Sequence, residues 1–328
     1  MTDTVYSKGF LINLKDIDKV VSGLISDIVT SIVMISTSSN DCDATGIGNE
    51  ISIATGFFID NRIIVTVSHF LDEDRRGLER SLCIVTTVGE IVKGVVIGVD
   101  DKYDILFIST ESKVDHSVIP LTYVNPIIGS ISIAGGMAYG ILRPFFSLGI
   151  VSGYEVKAPI NNRLVEGLML LSTPILPGMS GGPVVGLNGQ LYGVIVAKYS
   201  DSNEFALAIP VSRIYFSYEI LRRYGKVSHI KLGLVLIDYK PKLYSYGFRN
   251  GLIVSRNDNE KLKEFCSIES NDIILSINNI NLNSLEDLRI ALDLALINNK
   301  DIEITYYDFN KKRIERCTVP IYSFILHN

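Results

Sequence analysis

One serine stands among glycines in residues 177–183, which read PGMSGGP. The Ser180 hydroxyl becomes a strong nucleophile when a neighbouring base removes its proton. Glycines beside it let backbone N–H groups point at the negative charge that develops when a nucleophile attacks a carbonyl group. The same composition is typical of an ordinary tight turn, so the motif predicts catalysis only together with a base and an acid.

Histidine is the side chain best suited to be that base, because its imidazole gains and loses a proton near neutral pH. The chain has four histidines, of which His116, His229 and His327 stand in polar, junctional or terminal stretches that favour the surface. His69 directly follows the apolar run IIVTV and precedes a polar loop. His69 is therefore the candidate base, and the alternative is a structural histidine bonded to backbone groups.

An acid that could orient the base stands at the start of another apolar run. Asp104 precedes ILFIST, and a carboxylate beside a buried strand needs a hydrogen-bonding or charged partner. Asp100 and Asp101 are competing candidates, and any of the three could instead cap a turn. The order along the chain is His69, Asp104 and Ser180, each entering or leaving a predicted strand.

The elements around these residues are mostly strands as far as residue 210. Short apolar runs rich in β-branched residues follow one another, separated by turn sequences at residues 60–62 and at Asn188-Gly189. Many short strands with regular turns predict an all-β sandwich or barrel.

The pattern changes beyond that point. Residues 211–226 have helical spacing of apolar side chains, and a smaller unit of strands follows, with one helix near residues 284–299. Ser284 is the predicted N-cap of this helix, with Asp287 three residues later, and four leucines form one stripe along it. The sequence therefore predicts a mainly β domain followed by a small α+β domain.

Composition disfavours several classes of protein. The chain has 328 residues, 47% hydrophobic and 20% charged, which is typical of a globular protein with two or three domains. The net charge of −5 and the scattered basic residues disfavour nucleic acid as a main partner. The sequence has no phosphate-binding loop, dinucleotide motif or metal-ligand spacing, so we expect no cofactor and no metal.

The N-terminus and the cysteines bear on location. The first residues lack a basic stretch followed by an apolar run, so they do not resemble a secretory signal. Residues 17–35 are apolar, but Asp18, Lys19 and Asp27 interrupt them, and we expect no membrane span. The four cysteines match neither a zinc pattern nor a disulfide framework, which predicts free thiols. These features predict a cytoplasmic protein.

Five segments together resemble the trypsin-like serine proteases of the HtrA family: TGFFID…IIVTVSHF, DILFI, SLGIVSG, GMSGGPVV…NGQLYGV and ALAIP. The resemblance covers roughly residues 20–325. It implies two six-stranded β-barrels, with the site between them, followed by a small PDZ-like α+β domain. The implied domains are an N-terminal segment (1–25), a protease domain (26–226) and a PDZ-like domain (227–328).

The resemblance also implies a role for each site residue. Ser180 attacks the scissile carbonyl, and His69 takes its proton and later protonates the leaving amine. Asp104 orients the imidazole and stabilises the imidazolium that forms. The N–H groups of Gly178 and Ser180 form the oxyanion hole, which binds the negative oxygen of the tetrahedral intermediate.

The residues adjacent in sequence to Ser180 and His69 also affect the predicted site. Gly181 and Gly182 are predicted to let a peptide substrate approach without a Cβ in the way. Met179 stands before the serine where the family usually has Asn, and Ser68 stands before the histidine where it usually has Asn or Ala. These departures leave all three catalytic side chains in place.

The resemblance places Ile175 and Lys198 at the lining of the specificity pocket. The two segments that form its walls carry no carboxylate, which disfavours cleavage after Lys or Arg, and Ile175 favours small aliphatic residues. Lys198 either covers apolar surface with its stem or favours acidic residues. In the PDZ-like domain, Asn250, Gly251 and Leu252 are predicted to hold the carboxylate of a bound peptide.

The sequence thus predicts an ATP-independent serine endopeptidase that cleaves unfolded or damaged proteins and binds C-terminal peptides through its PDZ-like groove. The resemblance implies a homo-oligomer, a trimer formed through the N-terminal segment. One alternative is a proteolytically idle peptide-binding scaffold or chaperone. Another, an esterase of a different fold, is disfavoured because strands and helices do not alternate along the chain.

Overall fold

A computed structural model describes residues 4–7, 10–37, 52–71, 82–199 and 204–327. The chain divides into two compact units, Met1–Tyr215 and Phe216–Asn328. Strands dominate the first unit, because β-branched and aromatic side chains pack well on a pleated, half-buried surface. The second unit combines a sheet with helices, as the sequence predicts.

The N-terminal part of the first unit begins with a hairpin of β1 (Thr4–Ser7) and β2 (Phe10–Asn13), followed by helix α1 (Leu14–Ile28). The apolar stretch 17–35 is not one element, because α1 ends within it and the next strand begins at Ile32. Among the described residues, no helix is both long and apolar enough to cross a membrane.

The first barrel closes from six antiparallel strands in the order β3-β4-β5-β8-β7-β6. Its strands are β3 (Ile32–Thr37), β4 (Ile53–Asp60), β5 (Ile63–Val67), β6 (Leu82–Thr86), β7 (Ile91–Asp100) and β8 (Ile105–Thr110). Phe58, Ile64 and Leu106 are fully buried in its core. The predicted turn at residues 60–62 joins β4 to β5.

The second barrel has the same strand count, in the order β10-β11-β14-β13-β12-β9. Its strands are β9 (Ile131–Met137), β10 (Pro144–Ile160), β11 (Arg163–Leu171), β12 (Pro183–Gly186), β13 (Leu191–Lys198) and β14 (Ala206–Pro210). The turn between β12 and β13 contains Asn188 and Gly189, and Gly189 has the positive φ of 75° that favours glycine. The predicted pair of six-stranded barrels is thus confirmed.

Helix α2 (Val211–Tyr224) follows the second barrel, where the sequence predicts a helix. The division between the two units falls inside α2, after Tyr215, and not after the helix at residue 226 as predicted. The reason is packing, because Ile220 of α2 is fully buried in the apolar core of the second unit.

The second unit is built on a sheet in the order β16-β17-β18-β20-β21, with β19 paired to β18 and a separate pair of β15 and β22. Its strands are β15 (Ser228–Ile230), β16 (Leu234–Ile237), β17 (Leu252–Asn257), β18 (Ile273–Ile277), β19 (Ile280–Asn281), β20 (Ile302–Asp308), β21 (Arg313–Val319) and β22 (Ile325–His327). Its helices are α3 (Lys240–Ser245), α4 (Glu260–Phe265) and α5 (Leu285–Ile297). The Ser284 side chain caps α5 by accepting the Asp287 N–H, as predicted.

The cysteines differ from the prediction of free thiols. Cys266 and Cys317 form a disulfide with a Cα–Cα distance of 5.5 Å and a sequence separation of 51. Cys83 is also disulfide-bonded, and Cys42 lies outside the described residues. The prediction was wrong because packing of α4 against β21 brings Cys266 and Cys317 together, and spacing along the chain carries no sign of this contact.

Candidate active site

His69 and Asp104 lie side by side because their strands are neighbours. β5 ends at Val67 and β8 begins at Ile105, and these two residues are paired in the sheet. A short 3₁₀ helix, Ser68–Phe70, carries His69 beyond the strand end. The His69 Nδ1 atom lies 2.6 Å from Asp104 Oδ2. This contact leaves the Nε2 atom of His69 as the nitrogen that can accept a proton from a nucleophile.

The Asp104 carboxylate is buried, at 4% exposure, and well bonded. Its Oδ1 atom accepts the Ser68 hydroxyl and the His69 main-chain N–H, both at 2.8 Å. Asp104 itself has a left-handed φ of 61°, which aspartate tolerates better than most residues. These bonds hold the carboxylate facing the imidazole. The Ser68 side chain therefore contributes to the site, a role that the sequence analysis did not assign.

The two competing acids have other partners. The Oδ1 atom of Asp100 accepts the N–H groups of Lys102 and Tyr103 at 3.1 and 3.3 Å, so Asp100 caps the turn before Asp104. Asp101 pairs with Arg163 at 2.6 Å. Of the three candidate acids, the structure therefore brings Asp104 to His69.

Ser180 lies in the second barrel, in the loop between β11 and β12. Its hydroxyl donates to the carbonyl oxygen of Val196 at 2.8 Å. Within the described ranges no hydrogen bond joins Ser180 Oγ to His69. The candidate nucleophile is thus hydrogen-bonded to β13 in this structure, while the candidate base and acid are paired with each other.

The backbone around Ser180 has two N–H groups without an acceptor in the part of the chain that the structure describes, those of Gly178 and Ser180. The preceding carbonyls are both occupied: Pro177 O accepts the Tyr139 N–H at 2.9 Å and Met179 O accepts the Gly182 N–H at 3.0 Å. A trans peptide points its C=O and N–H in opposite directions. Both N–H groups therefore face away from these partners and are available to a bound oxyanion.

Gly181 and Gly182 face protein backbone and not the substrate side of the loop. A Cβ atom on Gly181 would lie 1.9 Å from Thr55 O, and one on Gly182 would lie 2.0 Å from Gly135 O. The prediction that they make room for a substrate was wrong, because the nucleophile loop is packed tightly on its inner side.

A long hairpin of the second barrel contacts the two loops of the first barrel that carry His69 and Asp101. The tip between β10 and β11 places the Asn161 side chain so that its Nδ2 donates to the His69 main-chain carbonyl at 3.0 Å. The neighbouring Arg163 forms the ion pair with Asp101. Sequence analysis missed both residues, because nothing in their local pattern indicates which distant loop they contact.

His116 and His229 have structural surroundings, whereas the side chain of His327 lies outside the described residues. The His116 ring stacks on Phe58 with centroids 3.5 Å apart, and its two nitrogens face the carbonyls of Ser117 and Asn61. His229 is 5% exposed and so is buried, contrary to the predicted surface position. Among the residues that the structure describes, no group of three or more His, Cys, Asp or Glu side chains is arranged to hold a metal ion.

Of the two residues predicted to line the specificity pocket, one is buried and the other is partly exposed. Ile175 is 5% exposed and belongs to the apolar core of the second barrel, together with Met179. Lys198 lies at the end of β13, opposite Ala206 on β14, and is partly exposed. The preference for small aliphatic residues remains a prediction.

The peptide cradle predicted at Asn250, Gly251 and Leu252 is not available for that purpose. The Gly251 N–H donates to Leu282 O at 2.8 Å. Leu252 is fully buried at the start of β17, which has β16 on one side and β18 on the other. A peptide can be added only to an edge strand, and the unpaired edge in this part of the sheet belongs to β16.

The fold and the site define a class of protein. Residues 54–194, which contain His69, Asp104 and Ser180, match the family described as the trypsin-like peptidase domain. A probable periplasmic serine endoprotease, DegP-like, from Buchnera aphidicola is 23% identical over 80% of this chain and 58% of its own length. The putative serine protease HhoA of Synechocystis is 29% identical over 56% of this chain and 46% of its length.

A solved structure of an HtrA-type protease, AlgW with tripeptide, has the same fold, with a TM-score of 0.66 at 18% identity, covering 91% of this chain and 95% of that one. Residues 54–194 therefore match a trypsin-like peptidase domain, and the chain as a whole is similar to serine proteases of the HtrA type. It spans about half the length of the curated relatives that it matches.

These comparisons correct the predicted cytoplasmic location. The Buchnera relative is named as periplasmic, which contradicts that prediction. The disulfide between Cys266 and Cys317 agrees with the correction, because disulfides persist in oxidising compartments and are rare in the cytoplasm.

Proposed function

We propose that this protein is a serine endopeptidase that cleaves unfolded or damaged polypeptides through an acyl-enzyme. Ser180 Oγ attacks the scissile carbonyl while His69 Nε2 takes its proton. His69 then gives that proton to the leaving amine, and Asp104 stabilises the imidazolium between the two steps. The N–H groups of Gly178 and Ser180 bind the oxygen that becomes negative.

The observation that carries this proposal is the combination of a paired base and acid with two N–H groups that have no acceptor in the described residues. An idle scaffold has no need of either. The hydrogen bond from Ser180 to Val196 is compatible with catalysis, because a serine hydroxyl changes its acceptor by rotation about a single side-chain bond. The alternative of an idle scaffold is not favoured, since the curated relatives are named serine proteases.

A serine-directed fluorophosphonate probe tests the proposal. We expect it to label the wild-type chain at Ser180 and to leave the Ser180→Ala chain unlabelled. Digestion of an unfolded protein such as casein, with products identified by mass spectrometry, should show cuts after small aliphatic residues. Absence of labelling and of cleavage would contradict the proposal. Enrichment of Asp or Glu before the cut, lost in Lys198→Met, would contradict only the aliphatic preference.

The second unit supports a peptide-binding function at the open edge of β16. Val235 and Ile237 of this strand are 43% and 40% exposed. Immediately before it, Gly233 has a left-handed φ of 74°, and the N–H groups of Leu232 and Gly233 have no acceptor among the described residues. We place the carboxylate of a C-terminal peptide at these two groups, with the peptide added to β16 in the manner of a PDZ domain.

A titration checks this placement on the Ser180→Ala chain, which cannot cleave the ligand. A peptide with an apolar last residue and a free carboxylate should bind at least about 10-fold more tightly than its amidated form. Gly233→Ala should weaken binding, because its Cβ would lie 2.6 Å from Asn259 Cβ, whereas Asn250→Ala should not. The reverse pattern for these two variants would contradict the placement.

For the assembly we propose a homo-oligomer, a trimer, which rests on the family alone. The segment expected to form it, residues 1–25, lies partly outside the described residues. Light scattering of the full chain at micromolar concentration tests this, and a monomer mass would contradict it.

For the location we propose an oxidising compartment outside the cytoplasm. Mass spectrometry of the denatured, unreduced protein, isolated from such a compartment, should find Cys83, Cys266 and Cys317 unreactive towards a thiol reagent. After reduction all three should be modified. Reaction of Cys266 or Cys317 without reductant would count against this location.

A further inference from the structure

Thr55 is a buried threonine of the first barrel that contacts the nucleophile loop of the second. It lies in β4 and is fully buried. Its main-chain N–H donates to Ser180 O at 2.9 Å. Its hydroxyl donates to Gly178 O at 2.6 Å and accepts the Met137 N–H at 2.8 Å. One residue thus binds the backbone on both sides of Met179.

These bonds determine where the Gly178 N–H points. The peptide before Gly178 is held through Pro177 O, which accepts the Tyr139 N–H at 2.9 Å. The peptide after it is held through Gly178 O, which accepts the Thr55 hydroxyl. Gly178 itself has a left-handed φ of 95°, and a Cβ there would lie 2.7 Å from Met137 O. Turning either peptide therefore breaks one of these hydrogen bonds.

The threonine hydroxyl suits this position because it is carried directly on Cβ and can donate one hydrogen bond while accepting another. Valine has nearly the same shape and can do neither, so Thr55→Val would remove the partner of the part-buried Gly178 O and of the buried Met137 N–H. Serine keeps both bonds. The orientation of Thr55 is supported in turn by Thr66, whose hydroxyl donates to Thr55 O at 2.6 Å.

We propose that Thr55 is a positioning residue of the oxyanion hole, which keeps the Gly178 N–H aimed at the reacting carbonyl before any substrate arrives. This inference rests on the proposed function. Thr55 does not touch the substrate and acts through Gly178. The hole is therefore preorganised, and its donors need no rearrangement when negative charge develops.

Steady-state kinetics of the full-length chain on a peptide substrate tests the proposal. For Thr55→Val we expect kcat to fall about 10- to 100-fold, with KM within about threefold of the wild type, because the interaction matters mainly in the transition state. The affinity for a peptide boronic acid, which forms a tetrahedral adduct on Ser180, should fall by the same factor as kcat/KM. Thr55→Ser should keep kcat within about threefold.

The matched control is Thr86→Val, which removes the hydroxyl of another buried threonine of the first barrel, one that accepts the Glu90 N–H at 3.0 Å. It should lower the melting temperature without a selective loss of kcat. Thermal unfolding shows whether each variant is folded. If Thr55→Val does not fold, the kcat of Thr55→Ser decides the proposal. A folded Thr55→Val chain with wild-type kcat, or a folded Thr55→Ser chain with kcat reduced more than 10-fold, would overturn the role of Thr55. A wild-type chain without turnover that depends on Ser180 would instead overturn the proposed function.

Discussion

Replacing either Ser180 or His69 by alanine is expected to lower kcat/KM for a peptide substrate by at least about 1,000-fold, and replacing both is expected to lower it little further. The reason is that the two side chains act in one step. Without the imidazole the hydroxyl keeps its proton, and without the hydroxyl the imidazole has no proton to accept. Hydrolysis of a peptide with a fluorescent leaving group measures the three variants against the wild type.

The control for this experiment is His116→Ala. Among the described residues, its ring faces the backbone carbonyls of Asn61 and Ser117 and stacks on Phe58. Its loss should therefore leave turnover intact at temperatures where the variant is folded. A His69→Ala chain that kept most of its turnover, or losses that multiplied in the double variant, would show that His69 and Ser180 do not form a catalytic unit.

Gly181→Ala is expected to lower stability more than a surface substitution could. The added Cβ would lie 1.9 Å from Thr55 O at a residue with a φ of 87°, so both overpacking and backbone strain oppose it. We expect a loss of about 3 kcal/mol or more, which corresponds to a melting temperature lower by about 10 °C for a domain of this size. Calorimetry measures it directly.

Gly153→Ala is the matched control, because a Cβ on Gly153 in β10 meets no atom within 4 Å. Its melting temperature should change by no more than about 3 °C. An unchanged melting temperature for Gly181→Ala would show that the loop can shift away from β4, which would also weaken the argument that this loop is rigid.

The strand-rich first domain, the helix α5 and the placement of His69 and Asp104 at strand ends could be predicted from local signals, whereas the two six-stranded barrels and the roles of the triad residues were implied by the family resemblance. Alternating apolar residues indicate strands, Asn188-Gly189 indicates a hairpin turn, and Ser284 with Asp287 indicates a helix start. His69 and Asp104 stand at strand ends, where short loops carry functional side chains.

What could not be predicted depends on which distant segments meet. Thr55 looks like any strand residue until β4 is packed against the Gly178–Ser180 loop. The disulfide of Cys266 with Cys317 depends on the packing of α4 against β21. The choice between β16 and β17 as the peptide-binding strand depends on the strand order, which a pattern of apolar residues does not contain.

The first barrel carries the proposed base, the proposed acid and Thr55, while the second carries the proposed nucleophile, the proposed N–H donors and Asn161. Neither barrel alone therefore holds the complete proposed site. During synthesis the ribosome releases the first barrel's strands well before residues 131–210 have emerged. We therefore expect the growing chain to be unable to hydrolyse peptide bonds until β9 to β14 have closed. A chain still on the ribosome would then be unable to cleave nearby nascent proteins.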